Sequence, residues 1–153
     1  MAIAVTIEAT VSRPPAEVFA DIADIERWPS WLIASGIIGV GRATEGPLVE
    51  GEHVKVEQRA AGRAGTFEAQ VTALEPPTRF ALHGRDGDGV TIDIDAALAP
   101  DGDSNGTRLR WSIRIALPLR YRMFESMARP QVERAAALDI EALRRRLEST
   151  ASD

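Results

Sequence analysis

Cysteine is absent from the 153 residues, which removes thiol nucleophiles, zinc thiolate centres, iron–sulfur clusters and disulfides together. That absence fits a reducing compartment, and the cytoplasm is the expected location. Histidine is nearly absent too: His53 and His83 are the two, too few for a three-histidine metal site. Both fall in the charged, outward register of their segments, beside Lys55 and Arg85, so neither is expected to be catalytic. No metal and no cofactor are expected. Apolar runs are short, none near the ~20 residues that span a bilayer, so no membrane insertion is expected. The start, Met1-Ala2-Ile3-Ala4-Val5-Thr6-Ile7-Glu8, lacks a basic region and meets an acid at once, unlike a signal peptide. Positive charge is the minority, 18 Lys and Arg against 23 Asp and Glu for a net −5, which argues against nucleic acid and other polyanions as partners. A single lysine, Lys55, stands among the 18 basic residues. That arginine bias, with abundant alanine, fits a GC-rich bacterial genome.

What is present is ordinary globular material, 44% hydrophobic and 27% charged, in a length that suits one domain over residues 1–153. Such a chain buries roughly two thirds of its unfolded surface and needs no covalent staple. Ile3, Val5, Ile7, Ala9 and Val11 alternate with polar or small residues, a period of two that marks a strand with one buried face. Ser12-Arg13-Pro14-Pro15-Ala16-Glu17 then combines a hydroxyl, prolines and an early acid, the signals of a helix start, with Val18, Phe19 and Ile22 at helical spacing. Asp24 is placed to cap a second short helix that Pro29 breaks or restarts.

From residue 35 to 117 the pattern returns to strands, with cores at 37–42, 53–60, 65–74, 79–85, 90–98 and 107–117, separated by turns rich in Gly, Pro and Asp. Parity tests the reading, since residues opposite each other share a face of the sheet. Ile92, Ile94, Ala96 and Leu98 match Ile115, Ile113, Trp111 and Leu109, leaving Asp93 by Arg114 and Asp95 by Ser112 or Arg110 on the other face. Likewise Val56 faces Phe67, Lys55 faces Glu68, Val71 faces Leu82 and Glu68 faces Arg85. Beyond Leu117 the chain turns helical. Pro130 is expected to kink or restart the helix, after which Val132, Ala136, Ile140, Leu143 and Leu147 form an apolar stripe. Residues 149–153 are expected to fray.

The order of strand, two short helices, six-stranded run and long helix resembles the helix-grip fold of the START/SRPBCC superfamily. The local likeness is to its polyketide cyclase/dehydrase-like branch, through Pro15-Ala16-Glu17-Val18-Phe19, through Asp24-Ile25-Glu26-Arg27-Trp28-Pro29-Ser30-Trp31, and through Gly51 and the closing Leu143 and Leu147. The resemblance implies an α+β fold: a seven-stranded curved antiparallel sheet around a long C-terminal helix, with two short helices between strands one and two. It also implies a choice of functions, because one scaffold of this kind hosts enzymes, transporters and sensors.

In such a fold the helix covers the sheet, and small inward residues such as Ala69, Ala96, Ala128, Ala135 and Ala142 open a space between them. The expected walls are Val56, Phe67, Phe80, Leu82, Ile94, Trp111 and Ile113 from the sheet, with Val54, Val71 and Ile92 beside them. Phe124, Met127, Ala135 and Leu138 are expected from the helix side. A filled core fits the same apolar residues. Gln58 and Gln131 are the inward polar groups, and Trp28 and Trp31 are expected to flank Pro29, one anchoring the short helices and the other near the cavity mouth. No inward charge with a buried partner is evident. Tyr121, Arg122 and Glu125, at helical spacing near the mouth, are the candidates for acid/base work; a solvated first turn with a Tyr121–Glu125 pair accounts for them equally.

Three further motifs have plain explanations. Asp101-Gly102-Asp103-Ser104-Asn105-Gly106 opens like a calcium loop but carries Ser112 at the twelfth position and sits between strands, so turn chemistry explains it. Gly36, Gly39 and Gly41 lack the spacing and the following helix of a phosphate loop. Arg144-Arg145-Arg146 alternates with Glu141 and Glu148 as a solvated face. The expected function is binding of a small hydrophobic molecule: a lipid, a polyketide or an aromatic metabolite. The alternative is a polyketide cyclase/dehydrase-type enzyme that folds a flexible substrate in the cavity, and a regulatory protein partnered with another chain is a third possibility. The oligomeric state is left open, a homodimer included.

Overall fold

The computed structural model describes residues 2–60 and 62–149. Among these, seven strands form one antiparallel sheet: β1 (Ile3–Val11), β2 (Ile37–Arg42), β3 (His53–Ala60), β4 (Arg63–Glu75), β5 (Arg79–Arg85), β6 (Thr91–Pro100) and β7 (Thr107–Ala116). Their spatial order is β1-β7-β6-β5-β4-β3-β2. Between β1 and β2 lie helix α1 (Pro15–Ala23) and a 3-10 helix (Ile25–Ser30); after β7 come a second 3-10 helix (Leu119–Phe124) and the long helix α2 (Glu125–Ser149). This is the helix-grip architecture. Residues 150–153 of the tail expected to fray lie outside the described residues, and Ser149 is still helical.

The register is the one that parity requires. Ile92, Ile94, Ala96 and Leu98 stand opposite Ile115, Ile113, Trp111 and Leu109, Val56 opposite Phe67, and Val71 opposite Leu82. The acids of β6 sit beside Arg114 and Ser112 in the backbone register, yet their side chains reach the other way, to β5. Asp93 meets His83 at 2.6 Å, and Asp95 takes a 2.8 Å bond from Arg79. Bulges between Ile37 and Gly39 and between Val71 and Ala73 interrupt the ladder, the usual means of bending a strand.

Two local expectations change. The carboxylate of Asp24 caps nothing and pairs instead with Arg27 at 3.2 Å, while Pro29 is carried inside the 3-10 helix. Pro130 does not restart the long helix, which runs as one helix from Glu125 to Ser149 with the proline inside it. Its ring leaves the carbonyl of Ser126 without its i+4 amide donor, on an exposed turn of α2 that is open to water.

α2 is held to the body by its second half. Its buried residues are Ala136, Asp139, Ile140, Leu143 and Leu147. Ser12 N donates to the Glu148 carboxylate at 2.9 Å, Arg13 Nε donates to the carbonyl of Leu147 at 2.9 Å, and Arg146 pairs with Asp21 at 3.2 Å. The first half carries none of these ties, and Met127 and Leu138 face solvent at 68% and 58% exposure. The sequence pattern assigns both to the cavity wall; each points instead off the side of α2 away from the sheet.

Candidate functional site

The filled end of the grip is aromatic. Trp28 is fully buried, donates its indole N–H to the carbonyl of Ile22 at 2.9 Å, and meets Phe80 and Trp111 edge-on at 5.9 and 6.4 Å between centroids. Trp31 meets Trp111 at 5.5 Å. Edge-to-face pairs of this kind add to the area they bury. Trp28 therefore anchors the short helices as expected. Trp31 does not stand at a mouth: it is 1% exposed because its ring packs inward on Trp111.

Where the aromatic block ends, space opens under the first half of α2. A cavity of about 540 Å³ is walled by Ile92, Ile94, Trp111, Ile113 and Ile115 on the sheet, by Leu117 just after β7, and by Ala128, Gln131, Val132 and Ala135 on α2. Residues 32–37 close one side. A neighbouring lobe of about 520 Å³ shares Gln58, Ala60, Leu117 and Ala128 with the first and continues past Phe67, Tyr121 and Phe124 to the Asp86–Asp88 turn. Alanines at 128 and 135 are what leave the space unfilled. The lone charge along the first lobe is the exposed Arg59.

Of the residues singled out in the sequence, Gln58, Ile94, Trp111, Ile113, Gln131 and Ala135 line the first lobe, and Phe67, Phe124 and Tyr121 the second. Trp28, Trp31, Val56, Ala69, Phe80 and Leu82 are buried and line neither lobe. They form the packed floor instead, since the wide rings nearby already fill the space above that part of the sheet. Met127 faces solvent. Arg122 is exposed and, like Glu125, lines neither lobe. The segment 119–124 is a 3-10 helix, whose tighter winding breaks the helical spacing assumed for Tyr121, Arg122 and Glu125. Tyr121 carries the Arg120 guanidinium 4.8 Å above its ring.

The sequence reading missed the segment 32–37 and the residue that holds it. Asp139 is 1% exposed and accepts the backbone N–H groups of Ala34 at 2.8 Å and Ser35 at 3.0 Å. Burial pushes its carboxyl above the ordinary range, against the bonds from Ser35 and Ala34. This is a buried inward acid held by backbone amides at the edge of the cleft, contrary to the expectation that no inward charge has a partner. Its signal was available: Asp139 stands three residues after Ala136 and four before Leu143, on the apolar stripe itself. The amide of Gln58 donates to the carbonyl of Ser35 at 2.8 Å. Gly36 completes the wall at φ +79°, where an added Cβ would lie 2.0 Å from the carbonyl oxygen of Arg59, so no other residue fits.

A separate hollow of about 490 Å³ lies beside α1 and the loop after β2. Its cation is already committed. Arg42 holds Glu52 through bonds of 2.6 and 3.0 Å, and that guanidinium lowers the Glu52 carboxyl below its ordinary value. At Asp101–Gly106, Ser104 folds back on the Asp101 carbonyl at 2.7 Å, an ordinary turn between β6 and β7.

Sheet, gripping helix and cleft define a helix-grip protein. The chain belongs to the family described as polyketide cyclase/dehydrase and lipid transport, whose model matches residues 2–148. No curated protein matches the chain in sequence. Similar solved structures include a protein of Thermus thermophilus, with TM-score 0.76 and 14% identity over 96% of this chain and 98% of that one. The Zhui aromatase/cyclase of Streptomyces sp. R1128 is similar with TM-score 0.75 and 18% identity over 97% and 94%. A START superfamily protein of Mycobacterium smegmatis is similar with TM-score 0.71 and 18% identity over 96% and 98%. At such identities the likeness speaks for the fold. No helix among the described residues is long and apolar enough to cross a membrane.

Proposed function

We propose that this protein binds a small hydrophobic molecule, a lipid, polyketide or aromatic metabolite, in the cleft between the sheet and the first half of α2. The observation that carries the reading is the first lobe: about 540 Å³ walled by six isoleucines and a tryptophan from the sheet, a size and lining typical of small-molecule sites. Binding is non-covalent, because no nucleophile paired with a base lines that lobe. A cyclase reading draws on the second lobe, where Tyr121 stands with Arg63, Asp86 and Asp88.

The neutral fluorophore N-phenyl-1-naphthylamine reports the site directly. Ala135→Phe places a ring in the first lobe and is expected to weaken binding about tenfold or more, roughly 1.4 kcal/mol, whereas Tyr121→Phe and Glu125→Gln leave it within that factor. Unchanged binding in Ala135→Phe overturns the site. Native mass spectrometry of the purified protein names the ligand class, and turnover of that ligand, lost only in the Tyr121 or Glu125 variants, would establish the enzyme.

A further inference from the structure

Large apolar side chains exposed singly are normal on a soluble surface. Here they are concentrated. Of the eight among the described residues, Leu119, Met123, Phe124 and Met127 fall within nine consecutive residues, at 80%, 76%, 48% and 68% exposure. Arg120 and Arg122 stand between Leu119 and Met123, Arg129 follows Met127, and all three are exposed, so a basic apolar tip stands on a chain of net charge −5. The opposing charges are few. Glu125 has one carboxylate oxygen buried, and Asp86 turns its own to the amides of Asp88 and Val90 at 2.9 Å. Arg120 reaches across to the carbonyl of Asp88.

We propose that the tip formed by residues 119–129 docks on the surface of an anionic lipid bilayer. Long, flexible apolar side chains set between arginines are suited to the boundary between headgroups and acyl chains, where the apolar parts sink and the guanidinium groups stay with lipid phosphates. Tyr121, Phe124 and Ala128, in the same stretch, line the second lobe. A docked molecule therefore turns its cavity toward the acyl chains, so that an apolar ligand leaves or enters without crossing water. That purpose rests on the cavity reading above. The docking itself does not.

The test is co-sedimentation of the full chain with vesicles of phosphatidylcholine containing about 30% phosphatidylglycerol, beside vesicles of phosphatidylcholine alone. Wild type is expected to partition onto the anionic vesicles at least about tenfold better than onto the neutral ones, and to be released at about 0.5 M salt. Leu119→Ser with Met123→Ser, and separately Arg129→Gln, are expected to lower that partition about fivefold or more while melting temperature and N-phenyl-1-naphthylamine binding stay unchanged. No partition by wild type, or equal partition by the variants, overturns the proposal. So does a wild-type dimer in sedimentation equilibrium that Met123→Ser dissociates, which would assign the tip to a second copy. Vesicle binding that persists without fluorophore binding overturns the cavity reading and leaves the docking in place.

Discussion

Asp139 shows how one buried carboxylate fixes a wall of the cleft. Without it the amides of Ala34 and Ser35 lose their acceptors, and hydrogen bonds to a charged group each contribute about 1.5–3 kcal/mol. Asp139→Ala is therefore expected to destabilise the fold by about 2–4 kcal/mol in denaturant unfolding, and to weaken fluorophore binding because residues 32–37 are released. The pH dependence has an unusual sign for an acid. Its folded value lies above the ordinary 3.8, so from about pH 4 upward the unfolded chain releases this proton first and stability falls through the folded value. Asp139→Asn does not titrate. The stability of wild type relative to Asp139→Asn is expected to be greater at pH 3.5 than at pH 6.5, with the opposite contribution from Glu52, whose carboxyl is lowered by Arg42, cancelling in the comparison. An equal difference at both pH values would sink this account. The residue scale is also where sequence reading failed, for a physical reason: an aspartate on an apolar stripe is explained only by its partners, and those lie in a segment without periodicity, about a hundred positions away in the chain.

Elements were far more legible than sites. Alternation marked strands such as β1 and β3 because each buries one face and wets the other, and cross-strand matching then left a single register for the β3–β4, β4–β5 and β6–β7 pairs; β2, which has no fully buried residue, was legible only as an apolar segment between turns. The stripe on α2 was legible for the same reason as β1 and β3, yet it misled at Met127 and Leu138, since an apolar residue beside a stripe reads like one on it. What no pattern carries is that α2 is gripped along its second half and stands away over its first. That difference comes from where its partners sit: Ser12, Arg13, Asp21 and Ser30 all reach residues 146–148. Truncation in the two halves should therefore differ. Leu143, fully buried, is expected to cost about 2–5 kcal/mol on change to Ala. Val132, partly buried over the cleft, is expected to cost under about 1.5 kcal/mol as Ala, because its wall already borders open space. Chemical denaturation of both variants checks the contrast, and equal losses would mean that the first half of α2 is packed as tightly as the second.

At the scale of the whole molecule the grip is divided, with an aromatic block packing one part and a cleft under the free half of α2 in the other. A ligand that enters the cleft supplies the contacts that the alanines withhold. It binds the folded chain alone, so at about one hundred times its dissociation constant it should add about 2.7 kcal/mol of stability. The gain is expected to be local as well as global. Amide exchange should slow most in residues 125–135 and 32–37, which border the first lobe, and least in residues 139–149, already tied to β1 and α1. In Ala135→Phe the introduced ring takes the ligand's place, so both the added stability and the added protection should vanish, while protection of residues 125–135 in the absence of ligand should rise above wild type. Hydrogen–deuterium exchange with and without N-phenyl-1-naphthylamine decides it. Protection spread evenly along α2 would place the ligand outside the cleft, because only contact under the first half can order that half alone.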